Sequence, residues 1–322
     1  MSNHLSDEQR RKNYILLAEN SYIQDNKEKA IDFYNKSLEF KGSAEDEIEV
    51  LFNIALIHDE LNLPLGSKNA YEKILKIDSN NPGAYYGIAI MEEQMGNDDK
   101  AIYNYRQAIR ADSKYDRAYF FLANLYDKLG KVDLAIAYYE KVLELVPDDY
   151  HAYNNLGSIY EELGQYYKAF EMFSRSIEIY PYFYRSKFNL GVVYKRLGNN
   201  KKALKYYYES LNLNKSYYYT YLNISAIYIE EKQYNKSIEI LTEGIESNED
   251  AADLYYNRAC CYAILDMVDE AITDIKEALI FNPNIISWVK KDKDFRNLYD
   301  NIDFIGLLNE YVIWYFQSRQ SN

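Results

Sequence analysis

The pattern of hydrophobic and polar positions repeats along this chain at an interval of 34 residues. Within each interval, apolar residues recur three or four positions apart in two stretches, which is the spacing of amphipathic helices. In the best-preserved copy, residues 151–183 (HAYNNLGSIYEELGQYYKAFEMFSRSIEIYPYF), a turn centred on Gly164 separates the two stretches. The pattern therefore predicts a helix–turn–helix unit that is repeated along the chain.

Four sets of residues keep this register independently of one another. Glycines suit the turn because they adopt a left-handed conformation at little cost, and alanines suit a second helix that crosses the first closely. Aromatic rings are suited to fill the seam between one helical pair and the next. The sets are Gly96, Gly130, Gly164 and Gly198; Ala101, Ala135, Ala169 and Ala203; Tyr126, Tyr160, Tyr194, Tyr228 and Tyr262; and Tyr105, Tyr139, Phe173 and Tyr207.

This combination of period and residue types resembles the tetratricopeptide repeat (TPR), and residues 156–170 (LGSIYEELGQYYKAF) are close to that family's consensus. The resemblance implies an all-α, right-handed superhelical solenoid of about eight TPR helix–turn–helix hairpins. We predict a flexible N-terminus over residues 1–10, eight repeat units over 11–285, and C-terminal capping helices over 286–322. The units are expected to start near residues 11, 48, 82, 116, 150, 184, 218 and 252.

The chain departs from the repeat after residue 285. Residues 292–308 resemble the segment that often follows such repeats in bacterial proteins, which favours a bacterial source. A terminal hairpin exposes its apolar seam to water unless something covers it. Five apolar residues are predicted to cover it: Phe295, Leu298, Phe304, Leu307 and Leu308.

The apolar run Tyr311–Phe316 (YVIWYF) has two interpretations. It could belong to a capping helix, or it could form a self-association surface, since a dense apolar patch is unfavourable in water. The second interpretation predicts a homodimer formed through Tyr311, Val312, Trp314, Tyr315 and Phe316.

Composition narrows the choice of partners and compartment. The net charge of −13 repels phosphate backbones, so we expect no nucleic-acid partner. The sequence has no apolar run of the length that a membrane-spanning helix needs, and its first residues (MSNHLSDEQRRKN) do not form a signal peptide. Cys260 and Cys261 are adjacent and unsuited to pair, which favours a reducing compartment. We therefore expect a cytoplasmic protein without membrane contact.

The sequence offers no constellation for catalysis. Its three histidines are isolated, and no histidine or cysteine pair has the spacing of metal ligands. No glycine-rich phosphate loop is present, and no nucleophile lies beside a base. We therefore predict that the protein is not an enzyme and holds neither cofactor nor metal.

In the tetratricopeptide family, the first helix of each unit lines a concave groove. The resemblance implies that the second, fifth, sixth, ninth and twelfth-to-thirteenth places of each unit face that groove. The sixth place holds asparagine in four successive units: Asn155, Asn189, Asn223 and Asn257. An amide can hold both the C=O and the N–H of a peptide backbone. The row resembles the asparagine ladder in the repeat domain of enzymes that attach N-acetylglucosamine to proteins. The alternative is that these amides serve local helix packing.

Other groove positions carry cations and aromatic rings. The second place holds Arg117, His151 and Arg185, and Lys128, Lys195 and Arg196 lie nearby, which makes the middle of the groove basic. Phe120 and Phe188 hold the fifth place, where they could contact bound side chains. The sequence therefore predicts an extended peptide partner that is acidic or bound through its C-terminus.

The carboxylate clamp of chaperone-binding family members is matched only in part. Asn124, Asn155 and Arg185 occupy three of its five places, whereas Phe120 and Asn189 stand where the family has cations. Two missing charges argue against chaperone tails as the partner.

These observations predict a non-catalytic protein- or peptide-binding scaffold or adaptor. A self-associating structural scaffold that uses the apolar C-terminal helix is the first alternative. The second is a peptide-pheromone-sensing regulator; such regulators usually carry an N-terminal effector module, and only about ten residues precede the first repeat unit here.

Overall fold

The protein is all-α throughout residues 6–309, the part that the computed structural model describes. Consecutive helices pair as hairpins, which confirms the predicted fold class. The first helices of the eight hairpins are α1 (Asp7–Ile23), α3 (Ala44–Glu60), α5 (Pro82–Gln94), α7 (Asp116–Lys128), α9 (Tyr150–Glu162), α11 (Tyr184–Arg196), α13 (Tyr219–Glu230) and α15 (Ala252–Ile264). The second helices are α2 (Lys27–Ser37), α4 (Pro64–Ile77), α6 (Asp98–Ala111), α8 (Val132–Leu145), α10 (Tyr166–Ile179), α12 (Asn200–Leu213), α14 (Tyr234–Ser247) and α16 (Val268–Phe281).

The chain forms two compact units, residues 1–152 and residues 153–322, which we call the N-terminal and C-terminal units. The N-terminal unit has a core in which apolar side chains of the first helices, such as Ile54 and Ile88, pack with Tyr34 and Ile74 of the second helices. The C-terminal unit has separate apolar clusters around Tyr207 and around the last hairpin.

Two helices begin one turn earlier than the repeat register predicts. Ser6 and Ser43 each form a capping box, in which the serine hydroxyl accepts a hydrogen bond from the backbone N–H three residues later. As a result α1 begins at Asp7 rather than near residue 11, and α3 begins at Ala44 rather than near residue 48. Residues 7–10, which belong to the segment predicted to be a flexible N-terminus (residues 1–10), are therefore helical.

The turn inside each hairpin contains one residue in the left-handed conformation. The predicted glycine row has φ between 67° and 76°, as expected for turns of this kind. The other four hairpins place a different residue type at the same point: Asp25, Asn62, Lys232 and Asp266, with φ between 55° and 61°. Lysine gains no local hydrogen bond that would favour this conformation, so the turn at Lys232 is the most strained of the four.

The segment after α16 packs against the last hairpin. It contains a 3₁₀ turn (Pro283–Ile285), α17 (Ile286–Val289), a 3₁₀ helix (Lys293–Leu298) and helical residues 302–309. Phe295, Leu298, Phe304 and Leu307 are buried there, with Leu308 partly buried beside them, which confirms the predicted cover. The run Tyr311–Phe316, with its predicted capping or dimerising role, lies outside the described residues.

Candidate functional site

Aromatic pairs connect the two helices of several hairpins. The fifth residue of the repeat unit packs on a tyrosine of the second helix, with ring centroids 5.5–6.1 Å apart. The pairs are Phe52 with Tyr71, Tyr86 with Tyr105, Phe120 with Tyr139, and Phe188 with Tyr207. We call these contacts the aromatic seams.

The aromatic seams change the interpretation of two predicted ligand contacts. Phe188 is only 9% exposed and lies between the rings of Tyr207 and Tyr217, so it offers little surface to a peptide. Phe120 is half-buried against Phe121 and Tyr139. Both rings pack within their hairpins, and their predicted contact with a ligand stays a prediction.

One hairpin has a polar cluster at the place where most of the others have an aromatic ring. Asn154 occupies the fifth place of its unit and is 6% exposed. Its Oδ1 accepts hydrogen bonds from Ser186 Oγ at 2.9 Å and from Asn189 Nδ2 at 3.1 Å, while its Nδ2 donates to Asn155 Oδ1 at 3.1 Å. Ser186 is also 2.7 Å from Ser176 Oγ. We call this set the polar seam; it connects α9, α10 and α11.

The sequence contains a signal for the polar seam that the repeat analysis missed. Asn154 interrupts a row otherwise held mostly by aromatic residues, and Ser176 and Ser186 stand where Ala108 and Ala118 occur two repeats earlier. Three polar substitutions at neighbouring points of one register indicate a hydrogen-bonded cluster, because isolated buried polar groups are costly.

The four predicted ladder asparagines form hydrogen bonds within the C-terminal unit. Asn155 accepts from Asn154, and Asn189 Nδ2 points inward to Asn154 and to Ser158 Oγ at 3.4 Å. Asn223 accepts from Tyr207 Oη at 3.2 Å and donates to the Tyr219 carbonyl at 2.9 Å.

Asn257 donates to the Asp253 carbonyl at 2.8 Å. Within the described chain, the Oδ1 atoms of Asn189 and Asn257 have no hydrogen-bond partner. Asn189 therefore offers a ligand mainly an acceptor, because its Nδ2 already donates twice, whereas Asn257 offers its Oδ1 and the second N–H of its Nδ2.

Arg185 lies among tyrosines at the start of α11. Its Nε donates to Tyr184 Oη at 3.1 Å, and its guanidinium carbon lies 5.8 Å from the centroid of the Tyr184 ring. Tyr217 packs edge-on against Tyr184 at 5.2 Å, and Tyr219 follows at 5.4 Å from Tyr217. Arg185 is exposed and makes no ion pair with a described residue. We call these four residues the arginine–tyrosine cluster.

Most of the neighbouring cations are neutralised within the protein. Lys128 pairs with Asp98, Lys195 with Glu230, and Arg196 with Glu161. Arg117, like Arg185, is exposed without an ion pair to any residue that the structure describes. The basic character predicted from sequence is therefore concentrated on two arginines.

The predicted site residues are divided between the two units. Arg117, Phe120, Asn124 and His151 belong to the N-terminal unit, where Asn124 accepts a hydrogen bond from Tyr139 Oη and the His151 ring lies 4.1 Å from that of Tyr150. Asn155, Arg185, Phe188, Asn189, Asn223 and Asn257 belong to the C-terminal unit. A shared site that includes His151, Asn155 and Arg185 stays a prediction.

A cysteine and two carboxylates meet between the last hairpin and the capping segment. The nearest ligand atoms of Cys260, Asp292 and Asp294 lie within 4.8 Å of one another. Burial, and then the two nearby carboxylates, raise the pKa of the Cys260 thiol. The thiol is 3.9 Å from Asp292 Oδ2, which also accepts a hydrogen bond from Tyr256. These contacts attach the capping segment to α15.

Comparison with known proteins identifies the family. Models of the tetratricopeptide repeat match residues 48–81, 115–181, 148–216, 218–250 and 252–285, and a further TPR repeat model matches residues 91–130. The chain belongs to the tetratricopeptide-repeat family. A search of curated proteins found no match.

Solved structures share the fold at low sequence identity. A tetratricopeptide repeat protein from Parabacteroides merdae is 16% identical over 83% of this chain and 99% of its own, with a TM-score of 0.59. The APC/C hetero-tetramer Cut9–Hcn1 is 19% identical over 88% of this chain and 55% of its own, with a TM-score of 0.57. Pseudomonas aeruginosa pilF is 19% identical over 67% of this chain and 96% of its own, with a TM-score of 0.55. None of the described helices of the present chain could cross a membrane.

Proposed function

We propose that the protein is a non-catalytic scaffold that binds an extended segment of a partner protein on the first helices of its C-terminal unit. The observation that supports this most is the arginine–tyrosine cluster around Arg185. Arginine and tyrosine are the residue types that most often dominate binding energy at protein interfaces. Here they lie together at the surface, with the guanidinium oriented by Tyr184.

The partner segment would be acidic or bear a free C-terminus. Arg185 is exposed and has no carboxylate partner within the described chain, so an incoming carboxylate could take both its charge and its hydrogen-bond capacity. Charge complementarity of this kind favours encounter as well as specificity. Lys195 and Arg196 contribute less because each is already paired.

Asn189 would add a backbone contact on the same face. Arg185 and Asn189 are four residues apart on α11, which places them one turn apart on one side of the helix. The polar seam fixes Asn189 Nδ2 inward, so its Oδ1 would accept a hydrogen bond from a peptide N–H. Compared with the full ladder predicted from sequence, this contact accepts from the backbone but does not donate to it.

The proposal is tested by selecting peptides on the full chain from a display library of random sequences with free C-termini. We expect enrichment of extended acidic peptides whose affinity falls at least about tenfold in Arg185→Ala, the loss expected for one charge-assisted contact. The matched control is Arg175→Ala, which removes an exposed arginine that pairs with Glu178 on the second helix α10. If the selected peptides bind Arg185→Ala as well as they bind Arg175→Ala, the proposed surface is wrong.

A further inference from the structure

Arg11 is a buried cation that lacks a full set of partners. The residue is only 2% exposed. Its Nη1 donates to the Phe40 carbonyl at 3.2 Å and lies 3.9 Å from Glu47 Oε1. Its Nε and Nη2 are buried and have no hydrogen-bond partner within the described chain. Because a guanidinium keeps its proton at any accessible pH, these two donors remain charged and unpaired.

The two unpaired donors form one side of the guanidinium. Nε–H and Nη2–H point in the same direction, and their spacing matches the two oxygens of a carboxylate. Arg258 of the same chain shows this arrangement filled: its Nε and Nη2 each donate to Asp274 at 2.7 Å, and its Nη1 donates to Thr242 at 2.8 Å. Arg11 has the corresponding contact at Nη1 but nothing on the Nε–Nη2 side.

A cavity of about 530 Å³ lies beside Arg11, between α1 and the loop that leads into α3. Gly42 of that loop presses on the guanidinium so closely that a Cβ there would lie 2.1 Å from Nη1. Lys41 also lines the cavity and makes no ion pair within the part of the chain described. Two cations, Arg11 and Lys41, therefore line this cavity, and the unpaired nitrogens of Arg11 are buried beside it.

The acidic side chains around the cavity decide which anion fits. Glu8 bonds to Lys12, Asp46 accepts from the Ser43 backbone N–H, and Glu47 lies near Nη1. A phosphate dianion would be repelled by these carboxylates, whereas a planar monoanion fits the donor pair with a smaller charge.

We propose that this cavity binds a carboxylate that is not supplied by the described chain, held through both oxygens by Nε and Nη2 of Arg11. Lys41 supports the charge at the rim. Since the two nitrogens have almost no exposed surface, a carboxylate reaches them only if side chains that line the cavity shift. The carboxylate could come from a small organic acid or from the end of a peptide chain. This site is independent of the proposed peptide surface at Arg185.

The test is a titration of the full chain with sodium acetate, against sodium chloride at equal ionic strength, followed by the Nε–H resonances of ¹⁵N-labelled arginine. The Arg11 resonance is identified by its loss in Arg11→Lys, which keeps the charge but removes the donor pair. We expect a saturable shift of the Arg11 resonance with acetate, while Arg258, whose donors are filled, stays unchanged. No shift at Arg11, a shift that grows without saturation, or an equal response to phosphate would overturn the proposal.

Two further measurements keep the test decisive. If Arg11→Lys does not fold, the affinity for acetate is measured in Gly42→Ala instead, because the added Cβ of Ala displaces the Arg11 guanidinium. Acetate should bind this variant at least about tenfold more weakly, as expected for a lost bidentate contact. Unchanged acetate affinity in that variant would also overturn the site. A tripeptide with a free C-terminus, its C-terminal amide and acetate distinguish the two sources of the carboxylate. If the site binds chain ends, the free tripeptide binds more tightly than acetate and the amide does not bind. If the site binds small organic acids, the free tripeptide binds no more tightly than acetate.

Discussion

The aromatic seams and the polar seam occupy equivalent places in the repeat but hold their helices together by different physics. At Phe188, burial of the ring and its edge-on contact with Tyr217 stabilise the hairpin, and neither requires a particular hydrogen-bond geometry. At Asn154, three hydrogen bonds must form together, because each buried donor or acceptor left alone is costly. The repeat can therefore exchange a ring for an amide only where neighbouring positions change with it.

The difference between ring packing and a hydrogen-bonded cluster also determines which groups each seam can offer to a partner. The aromatic seams use their side chains inside the hairpins, so Phe188 has little left to offer a ligand. The polar seam fixes Asn189 by its nitrogen and leaves its oxygen without a partner in the described structure. A structural cluster thus orients a group that lies one turn from Arg185.

The largest expected effect comes from removing a ring from an aromatic seam. Phe188→Ala should lower the free energy of unfolding by about 3–4 kcal/mol, because it leaves a cavity between Tyr207 and Tyr217. Urea unfolding followed by circular dichroism measures this change. A loss below about 1 kcal/mol would mean that the seam collapses around the missing ring and that the packing argument fails.

Alkaline pH should weaken the aromatic seams and leave the polar seam untouched, because only the former contain titratable hydroxyls. Burial, with a smaller contribution from the Asp59 carboxylate, raises the pKa of Tyr71 to about 12. An unfolded tyrosine titrates near 10, so this stabilisation is complete below pH 10 and is lost as the pH rises towards 12.

Between pH 9 and pH 12, the wild-type protein should lose about 2 kcal/mol more stability than Tyr71→Phe, which keeps the ring and removes the hydroxyl. Urea titrations of both proteins at the two pH values provide the comparison. Equal losses would show that Tyr71 does not carry the pH dependence.

The polar seam is tested by Asn154→Ala. The change removes the shared acceptor of Ser186 and Asn189, so we expect a loss of about 1.5 kcal/mol in the free energy of unfolding. The triple variant Asn154→Phe, Ser176→Ala and Ser186→Ala should regain most of the lost stability, because it converts the polar seam into an aromatic one. A triple variant less stable than Asn154→Ala would show that this hairpin cannot accept a ring.

The smallest effect lies outside both seams, in the turn at Lys232. Since this residue adopts a left-handed conformation at φ 58°, Lys232→Gly should raise stability by about 0.5–1 kcal/mol. Lys205→Gly, in the middle of helix α12, is the control and should lower stability by about 1 kcal/mol. The unfolding temperature should therefore rise in Lys232→Gly and fall in Lys205→Gly, and a change in the same direction in both variants would contradict the strain assigned to Lys232.

The repeat register was sufficient to predict the hairpins and their turns, and the resemblance of residues 292–308 to an end-of-array segment predicted the capping residues, because each depends on residue type at a fixed place. Gly164 and Phe295 illustrate this: a left-handed turn and an apolar cover follow from sequence alone. The partners of individual polar atoms could not be predicted in the same way. Whether Asn189 turns its nitrogen inward depends on Asn154, which lies 35 residues earlier in the chain.

The early starts of α1 and α3 show a second limit of the register. Ser6 and Ser43 cap these helices and extend them by one turn. Comparison of the chain at intervals of 34 residues does not detect such local signals, because they do not recur in every repeat. The burial of Arg11 was likewise hidden, because it depends on how the loop at Gly42 folds over the guanidinium.

The most direct test of the peptide-binding surface is a double-mutant cycle between Arg185 and an acidic residue of a selected peptide. The four affinities, measured by calorimetry for wild type and Arg185→Ala against the acidic peptide and its neutral variant, give the coupling free energy. We predict a coupling of about 1 kcal/mol or more, as for charge pairs in direct contact. A coupling of zero would contradict the assignment of Arg185 as the residue that binds the carboxylate of the partner.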